Sequence, residues 1–491
     1  MRPLLLSVGL VVCPLLAVSQ QPVPATLSLA DAIALARQHN PVYRQTIHDR
    51  SPAAWGVRNA WSSLWIPNVT ASAGVIYAGP GEQNFLTSSF SQSVSTWSSN
   101  YNFLLDWTLN GQTLSQPGLK QAQLNAAQAD VVGAETNLAT AVTQQYLTVL
   151  QARDNAEVAR QQLDHDEQFL RLAQARYEVG RASLIDVRQA QVARGAAEVS
   201  LLRARTAVQV EKLRLFQQIG VSAPVDLGTV QLTDTFSVQT PTWRLGDLLG
   251  MAEQQNPSLK ALRERERAAG WGVKAASSSW GPSVALSAGW SGFTQKLSDI
   301  NPTLGAIRQS AQTDSLACAY ENAAWLNTGQ TPLNCAVLTN TAAREQALRD
   351  QNSRYPFHFT PQPFQARLTV SIPLWGNFHQ PLLVSQAKAQ QQDLQESVRA
   401  RGLQVQTDVS QAYLTLETAF QTIAIQDTNR TAAREQLQLA TERYRVGSGT
   451  FFELLDAQVA GLRAETDYIN AVYDYHKAVA ALEAAVGKPL R

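Results

Sequence analysis

A hydroxyl residue followed three positions later by a carboxylate occurs twice in similar surroundings. Ser183 precedes Asp186 in the stretch RYEVGRASLIDVRQAQVA, and Thr450 precedes Glu453 in the stretch RYRVGSGTFFELLDAQVA. At the start of a helix such a pair forms a capping box, in which each side chain accepts a hydrogen bond from the backbone N–H of the other residue. The spacing therefore predicts that a helix begins directly after each hydroxyl residue.

The two stretches, 176–193 and 443–460, are copies of one another. They are identical at 8 of 18 positions without a gap, and they start 267 residues apart. In each copy a glycine, Gly180 or Gly447, follows a helix-forming run and suits the left-handed backbone conformation that ends a helix. Each copy therefore predicts a tight helix–turn–helix tip, and a chain that builds this tip twice has a duplicated architecture.

The residue types that carry catalysis or bind metals lack the necessary spacing. No G-x-S-x-G, P-loop or paired C-x-x-C motif occurs, and no two histidines have H-x-x-x-H spacing; the six are His39, His48, His165, His358, His379 and His476. We therefore expect no enzymatic activity and no cofactor or metal. The 40 basic and 39 acidic residues nearly balance, so a nucleic-acid partner is not expected either.

The N-terminus has the features of an export signal. Residues 4–18 form an apolar run after Arg2, and the sequence A-V-S at 17–19 resembles a cleavage site. We therefore predict a signal peptide over residues 1–19. A lipoprotein signal at Cys13 is the alternative, and it is disfavoured because the preceding valine is larger than the residue that such sites need.

The remainder of the chain contains few charges and no long apolar run. Charged residues make up 16% of the sequence, which favours long helices packed on one another over a large globular core. No run of about 18 apolar residues occurs, so no transmembrane helix is predicted. Two cysteines remain, Cys318 and Cys335, and they could form a disulfide in an oxidising compartment.

Further matches extend the duplication over the whole chain. The offset between matching segments is 216 residues at residue 29 and 267 residues at residue 142, so the second repeat carries an insertion. We predict a first repeat over residues 20–220, an irregular linker over 221–243, and a second repeat over 244–491 whose insertion is a long loop at about 292–363 with both cysteines.

Each repeat also contains two segments in which apolar and smaller or polar residues alternate. This period of two, over about ten residues, is typical of β-strands and, in an exported protein, of membrane β-barrels. Before the first strand of each repeat we predict a single helix of about 35 residues, opened in the first repeat by Ser28 and Asp31. The apolar strand positions are Val69, Ala71, Ala73, Val75 and Tyr77; Phe103, Leu105, Trp107 and Leu109; Val284, Leu286, Ala288 and Trp290; and Leu368, Val370 and Ile372.

A very long helix follows the second strand of each repeat. We predict it over residues 112–179 and 388–446, with return helices that end at Ile219 and Val486. The first long helix carries a coiled-coil seam, with a stripe of small residues on nearly the opposite face. The seam consists of Leu124, Ala127, Val131, Ala134, Leu138 and Ala141. A helix striped on both sides needs neighbours on both sides, as a stave does in a cylinder.

The predicted signal peptide, the doubled order of elements and the two R-Y-x-x-G tips together resemble the TolC-like family of outer-membrane efflux channels, from Leu29 to Gly487. The resemblance implies a mainly α fold with a small β part, in which duplicated long helices form a coiled-coil tunnel in the periplasm. It also implies a homotrimer. Four strands per protomer would form a 12-stranded transmembrane β-barrel in outer-membrane lipid, where open sheet edges are forbidden.

The function implied by this resemblance is that of a passive exit duct. A periplasmic adaptor and an inner-membrane pump would supply cargo and energy to it. A duct for polypeptide secretion is an alternative with the same fold and a different cargo. A coiled-coil envelope scaffold is a second alternative, which would account for the helices but not for the four alternating strands.

The resemblance also assigns roles to the tips. Spacing of three places Glu453 and Asp456 on one helix face, and threefold symmetry would gather six such carboxylates into a ring that favours cations. The implied entrance residues are Glu453, Asp456, Asp186 and Tyr444. The implied adaptor-docking residues are Tyr177, Gly180, Ser183, Leu184, Gly447, Ser448, Thr450 and Phe451.

A latch is also expected to hold the entrance closed. The resemblance implies a bond between Tyr444 and Asp186 that holds the tips together. Related gates also use an arginine in this turn, at the position that Gly449 occupies in this chain. An arginine-latched closed state would therefore require a substitute, for which Arg445 and Arg181 are the candidates.

Overall fold

The computed structural model describes residues 26–85, 88–92, 94–326, 329 and 331–490. The predicted signal peptide and Cys13 lie outside these residues. The chain divides into two compact units: the first comprises Met1–Val57, Gly118–Gly270 and Lys388–Arg491, and the second comprises Arg58–Pro117 and Trp271–Ala387.

Most of the described chain is helical. The helices are α1 Leu29–His39, α2 Pro41–Trp65, α3 Gly111–Glu178, α4 Leu184–Ile219, α5 Leu245–Gln255, α6 Pro257–Ser277, α7 Asn301–Leu326, α8 Ala342–Ser353, α9 His379–Val446 and α10 Phe451–Val486. The strands are β1 Thr26–Leu27, β2 Asn68–Ala78, β3 Gly81–Phe85, β4 Ser88–Gln92, β5 Thr96–Leu109, β6 Gln231–Leu232, β7 Ser283–Leu297, β8 Thr360–Pro361 and β9 Gln365–Ser371. Among the described helices, none is at once long enough and apolar enough to cross a membrane.

The long helices and their return helices confirm the predicted duplication. Helices α3 and α9 each have 68 residues, and α4 and α10 each have 36. The return helices end at Ile219 and Val486 as predicted, because Gly220 and Gly487 follow them in the left-handed conformation. The second long helix begins at His379, earlier than the sequence indicated.

The predicted first helix is broken in two. Helix α1 ends at His39 with Asn40 as its C-cap, since the α conformation is disfavoured for the residue before a proline and Pro41 lacks a backbone N–H. The side-chain oxygen Oδ1 of Asn40 then accepts a hydrogen bond from the N–H of Tyr43 at 3.0 Å and caps α2. Its amide nitrogen donates to the carbonyl of Gln218 at 2.8 Å, which ties the start of the repeat to its end. In the second repeat, Asn256 makes the equivalent bond to the carbonyl of Ala485 at 3.0 Å.

Equivalent residues of the two repeats fill two separate cores in the first unit. One core contains Val142 and Leu215, and the other contains Val409 and Leu482, which lie 267 positions later. All four side chains are buried. The duplication therefore extends from the order of elements to the packing of α3 on α4 and of α9 on α10.

The four predicted strands are confirmed as β2, β5, β7 and β9 of one antiparallel sheet in the second unit. Strands β2, β5, β7 and β9 are neighbours in that order, with Leu105 opposite Val69 on one side and Ala288 on the other, so the strand pairs of the two repeats lie side by side. The two-residue β8 also pairs with β7, on the same side as β9. Strand β9 extends the sheet through the pair Leu286 and Leu368. Among the described strands, β2 and β9 each have a neighbour of this sheet on one side only.

The insertion was predicted as a loop, but the structure shows it to be largely helical. It contains α7, α8 and a short 3-10 helix, Cys335–Thr339. A disulfide joins Cys318 on α7 to Cys335, and Arg308 on α7 makes two hydrogen bonds of 2.8 and 2.7 Å to Glu345 on α8. The abundant Ala and Gln of this segment are good helix formers, which explains the difference.

Two glycines, Gly220 directly after α4 and Gly195 within it, test the closure of the first repeat. A Cβ at Gly220 would lie 2.7 Å from the Cα of Asn40, and its φ of +86° is strained for other residues. We expect Gly220→Ala to lower the free energy of unfolding by about 1–2 kcal/mol from the backbone conformation alone, with the clash adding to this. In the control, Gly195→Ala, the new methyl meets nothing within 4 Å in mid-helix and should raise stability by about 0.5–1 kcal/mol. Urea unfolding in detergent, followed by helical circular dichroism, measures both; equal stabilities would contradict the expectation.

Candidate functional site: the two helical tips

Both long helices end in the same backbone motif. At the first tip the N–H of Gly180 donates to the carbonyl of Tyr177 at 2.9 Å, and the N–H of Arg181 donates to the carbonyl of Arg176 at 2.7 Å. This is a Schellman motif, and it requires the left-handed φ of +71° that Gly180 adopts. The second tip repeats both bonds around Gly447, whose φ is +88°.

The return helices begin with the two predicted capping boxes. The N–H of Asp186 donates to the hydroxyl of Ser183 at 3.2 Å, and the N–H of Ser183 donates to the Asp186 carboxylate at 2.9 Å. Thr450 and Glu453 make the same pair of bonds at 3.2 and 3.4 Å. Both boxes are confirmed, and the unpaired backbone groups at each turn are thereby satisfied by residues of the turn itself.

The two tips of one chain pack on each other through a small buried cluster. We refer to these six residues as the tip cluster: Ala173, Val187 and Ala190 from the first repeat, and Tyr444, Phe451 and Leu454 from the second. The rings of Tyr444 and Phe451 meet edge to face with centroids 5.6 Å apart. Within one chain the two tips therefore form one structural unit.

Arg176 connects the first tip to the end of the second long helix. Its guanidinium donates to the carbonyl of Tyr444 and lies 4.6 Å from the centroid of the Tyr444 ring. A second bond, of 3.4 Å, reaches the carbonyl of Arg181 in its own turn. A cation that donates to a carbonyl at a helix C-terminus also interacts favourably with the negative end of the helix dipole. Arg176 therefore stabilises the end of α9.

The expected bond between Tyr444 and Asp186 is not made. The Tyr444 hydroxyl is buried and has no hydrogen-bond partner among the described residues, while the Asp186 carboxylate bonds to Ser183. Burial raises the pKa of Tyr444, the charge of Asp186 raises it further, and the charge of Arg176 opposes both. The contact that joins the tips is therefore made by Arg176 and the ring and carbonyl of Tyr444.

The arginine next to Gly449 is neither of the two predicted. A Cβ at Gly449 would lie 3.0 Å from the Cβ of Arg443, so a side chain at this position would crowd that residue. Arg443 approaches Glu453 to 3.8 Å and donates to the carbonyl of Ser448 at 3.5 Å. Arg445 instead pairs with Glu442 on its own helix. Sequence reasoning missed Arg443 and Arg176, although both open the repeated R-Y-x-x-G motif.

The acidic pair of α10 lies on an exposed face of the helix. Glu453 and Asp456 are both exposed, while Leu454 and Ala457 are buried on the adjoining face of the helix. The Glu453 carboxylate is engaged by its capping box and by Arg443. Asp456 makes no ion pair with any described residue, and the first repeat has Gln189 at this position. Asp456 is thus the unneutralised charge of the pair.

One predicted docking residue is not accessible in the protomer. Phe451 is only 6% exposed because it lies in the tip cluster, whereas the adjacent Phe452 is 75% exposed. Tyr177 and Leu184, from the first tip, are both about half exposed. The structure therefore corrects the surface role expected of Phe451, and Phe452 is the accessible aromatic residue of the second tip.

The fold and the tips define a class of protein in which duplicated long helices reverse at paired tips, and in which each repeat contributes two long strands to one shared sheet. The chain matches the family described as "Outer membrane efflux protein" over residues 32–221 and 340–488, and it belongs to that family. It is thus an outer-membrane efflux channel, a passive exit duct whose helical tunnel lies in the periplasm.

Individual relatives agree with this membership. The outer membrane efflux protein BepC of Brucella suis is 24% identical over 74% of this chain and 67% of its own length. The outer membrane protein TolC of Vibrio cholerae is 24% identical over 94% and 90%. Among solved structures, the OprN outer-membrane channel has a TM-score of 0.68 at 17% identity, covering 94% of this chain and 89% of its own. VceC of Vibrio cholerae has a TM-score of 0.66 at 17% identity, covering 94% and 97%.

The contact of Arg176 can be tested by proteolysis of the tips. Loss of a charged hydrogen bond costs about 1.5–3 kcal/mol, and cleavage follows the population of the open form. We therefore expect Arg176→Ala to speed chymotryptic cleavage after Tyr444 and Phe451 by about tenfold or more. The matched control is Arg188→Ala, because Arg188 bonds only to Gln191 on its own helix among the described residues. Mass spectrometry locates the cuts, and equal rates in both variants would contradict the assignment.

Proposed function

We propose that three copies of this chain assemble around one axis and that their tips together form the periplasmic entrance of the duct. A periplasmic adaptor docks on these tips, and an inner-membrane pump delivers cargo through it. The protein acts as a conduit and catalyses no reaction.

The open sheet is the observation that carries the proposed assembly. Among the described strands, β2 forms one edge of the sheet, and β9 with the two-residue β8 forms the other. Their apolar side chains Val69, Val75, Leu368 and Val370 are exposed. An unpaired edge is not tolerated in lipid, so β9 of one copy must pair with β2 of the next. Three copies would close a 12-stranded barrel, with the exposed apolar side chains facing lipid.

Residues that are exposed in both tips support adaptor docking. Val179 and its equivalent Val446 are exposed at the ends of the long helices, and Ile185 and its equivalent Phe452 are exposed where the return helices begin. Exposed apolar side chains grouped at one end of a protein are typical of interaction sites. A partner that contacts both tips of each copy would find the same two positions in each.

The acidic pair of the second tip supports a cation-attracting entrance. In a threefold assembly, Glu453 and Asp456 place six carboxylates around a narrow opening. Asp456 contributes most to the potential, because it has no neutralising partner among the described residues while Glu453 approaches Arg443. Rings of acidic side chains favour cations in this way in other channels.

The selectivity of the channel tests this entrance. We expect the purified protein in planar bilayers to prefer cations, and we expect the double variant Glu453→Gln/Asp456→Asn to bring the cation-to-anion permeability ratio close to that of free solution. The reversal potential in a salt gradient measures this ratio.

A matched control removes the same charge elsewhere. Asp393 and Glu396 are exposed acidic residues of α9 with the same spacing of three, far from the tip in sequence. The double variant Asp393→Asn/Glu396→Gln should retain most of the selectivity. If the tip variant and this control behave alike, the acidic pair does not set selectivity.

A further inference from the structure

Equivalent residues of the two tips are buried to very different extents. Tyr444 is 4% exposed, whereas Tyr177, at the same position of the first repeat, is 46% exposed. Phe451 is 6% exposed, and its equivalent Leu184 is 49% exposed. The backbone motifs of the two tips are the same, so the difference comes from what covers them and not from their local structure.

The covering element of the second tip is the first tip of the same chain. Ala173 and Arg176 lie against Tyr444, with Arg176 over the ring. One chain contains one such interface, in which a flank of repeat one contacts repeat two. Repeat two has an equivalent flank, and repeat one has an equivalent face to receive it. Among the described residues of one chain, these two surfaces do not contact each other.

We propose that Arg443 of one copy stacks on Tyr177 of a neighbouring copy and thereby repeats between chains the contact that Arg176 makes with Tyr444 within a chain. The inference rests on the proposed assembly, in which repeats one and two alternate around the axis. Arg443 lies 267 positions after Arg176, and Tyr177 lies 267 positions before Tyr444. In this ring each tip meets one tip of its own chain and one tip of another.

The surroundings of Arg443 fit this role. Its side chain is 59% exposed, and its contacts among the described residues are the long approaches to Ser448 and Glu453. It already makes the bond across its own turn that Arg176 makes to Arg181, so it leaves the helix in the same direction. A guanidinium over a tyrosine ring is an attractive cation–π pair.

The small and apolar residues on both flanks also match. Next to Arg443, Leu439 is exposed, whereas its equivalent Leu172 packs against the tip cluster; Ala440, the equivalent of Ala173, packs against the same cluster and is partly buried. On the other side, Leu184 is exposed beside Tyr177, as Phe451 would be beside Tyr444 if the first tip were removed. The exposed residues of these two flanks, Arg443 and Leu439 on one and Tyr177 and Leu184 on the other, are therefore the equivalents of residues that meet inside the chain.

A second copy explains the exposure pattern better than an adaptor does. An adaptor that contacts both tips needs residues that are exposed in both, such as Ile185 and Phe452. Tyr177 and Leu184 are exposed in the first repeat, whereas their equivalents in the second repeat, Tyr444 and Phe451, are buried. This asymmetry follows if the internal interface covers one set and the interface between copies covers the other.

Glu453 gives this contact an alternative state. It lies 3.8 Å from Arg443 in the same chain and competes with the neighbouring Tyr177 for the guanidinium. Asp186, the equivalent of Glu453 in the first repeat, makes no ion pair with Arg176 among the described residues, although both carboxylates take part in their capping boxes.

Cross-linking between cysteines tests the proposal. The double variant Tyr177→Cys/Arg443→Cys, treated in detergent with a short bis-maleimide, should give bands of two and three chains on denaturing gels. The internal pair Arg176→Cys/Tyr444→Cys is the matched control and should stay at one chain. Val192→Cys/Val459→Cys, at positions exposed in both repeats, should not join chains.

Mixing the single variants shows that the link is between copies. Tyr177→Cys and Arg443→Cys should each give no product alone, and co-expressed they should give two-chain bands but no three-chain band, because each chain then carries one reactive partner. Glutaraldehyde measures the assembly independently. Trimers without a link at Tyr177 and Arg443 overturn this inference and leave the proposed function standing, whereas monomers overturn both.

Discussion

A helix can reverse direction within a few residues only if the free backbone groups at its end find partners in the turn. At both tips the Schellman bonds satisfy the last carbonyls of the long helix, and the capping box satisfies the first N–H groups of the return helix. The two helices then leave the turn in a fixed register. The tip cluster, the position of Arg176 and the exposed face of α10 all depend on this register.

The local part of the site could be predicted from the sequence because the residues that determine it are neighbours. Gly180, Ser183 and Asp186 lie within seven positions, and their types alone specify a left-handed helix end and a capping box. The contact between Arg176 and Tyr444 joins residues 268 positions apart. No local pattern encodes it, and the only trace in the sequence is that the same arginine opens both tips.

The burial of side chains at the tips could not be predicted from the sequence either. Phe451 and Leu184 occupy the same position in the repeated pattern, so a pattern treats them alike. Phe451 is covered because the chain folds back on itself once, and Leu184 is not covered.

The helical insertion is a different case, because its helices have no clear apolar face. They are held by a disulfide between residues 17 positions apart and by an ion pair between residues 37 positions apart. The break at Asn40, in contrast, followed from the proline after it and could have been predicted.

The asparagine that separates α1 from α2 has a consequence for how the chain is made. Asn40 reaches the carbonyl of Gln218, and Asn256 reaches that of Ala485, so each repeat binds its last helix to its first. A chain that emerges from its N-terminus can therefore close the first repeat before the second has appeared, and Tyr473 of the second repeat joins that core later. Domains generally fold as such units during synthesis, and early closure shortens the time for which apolar stripes of both long helices are exposed together. The duplication thus divides one slow folding problem into two shorter ones.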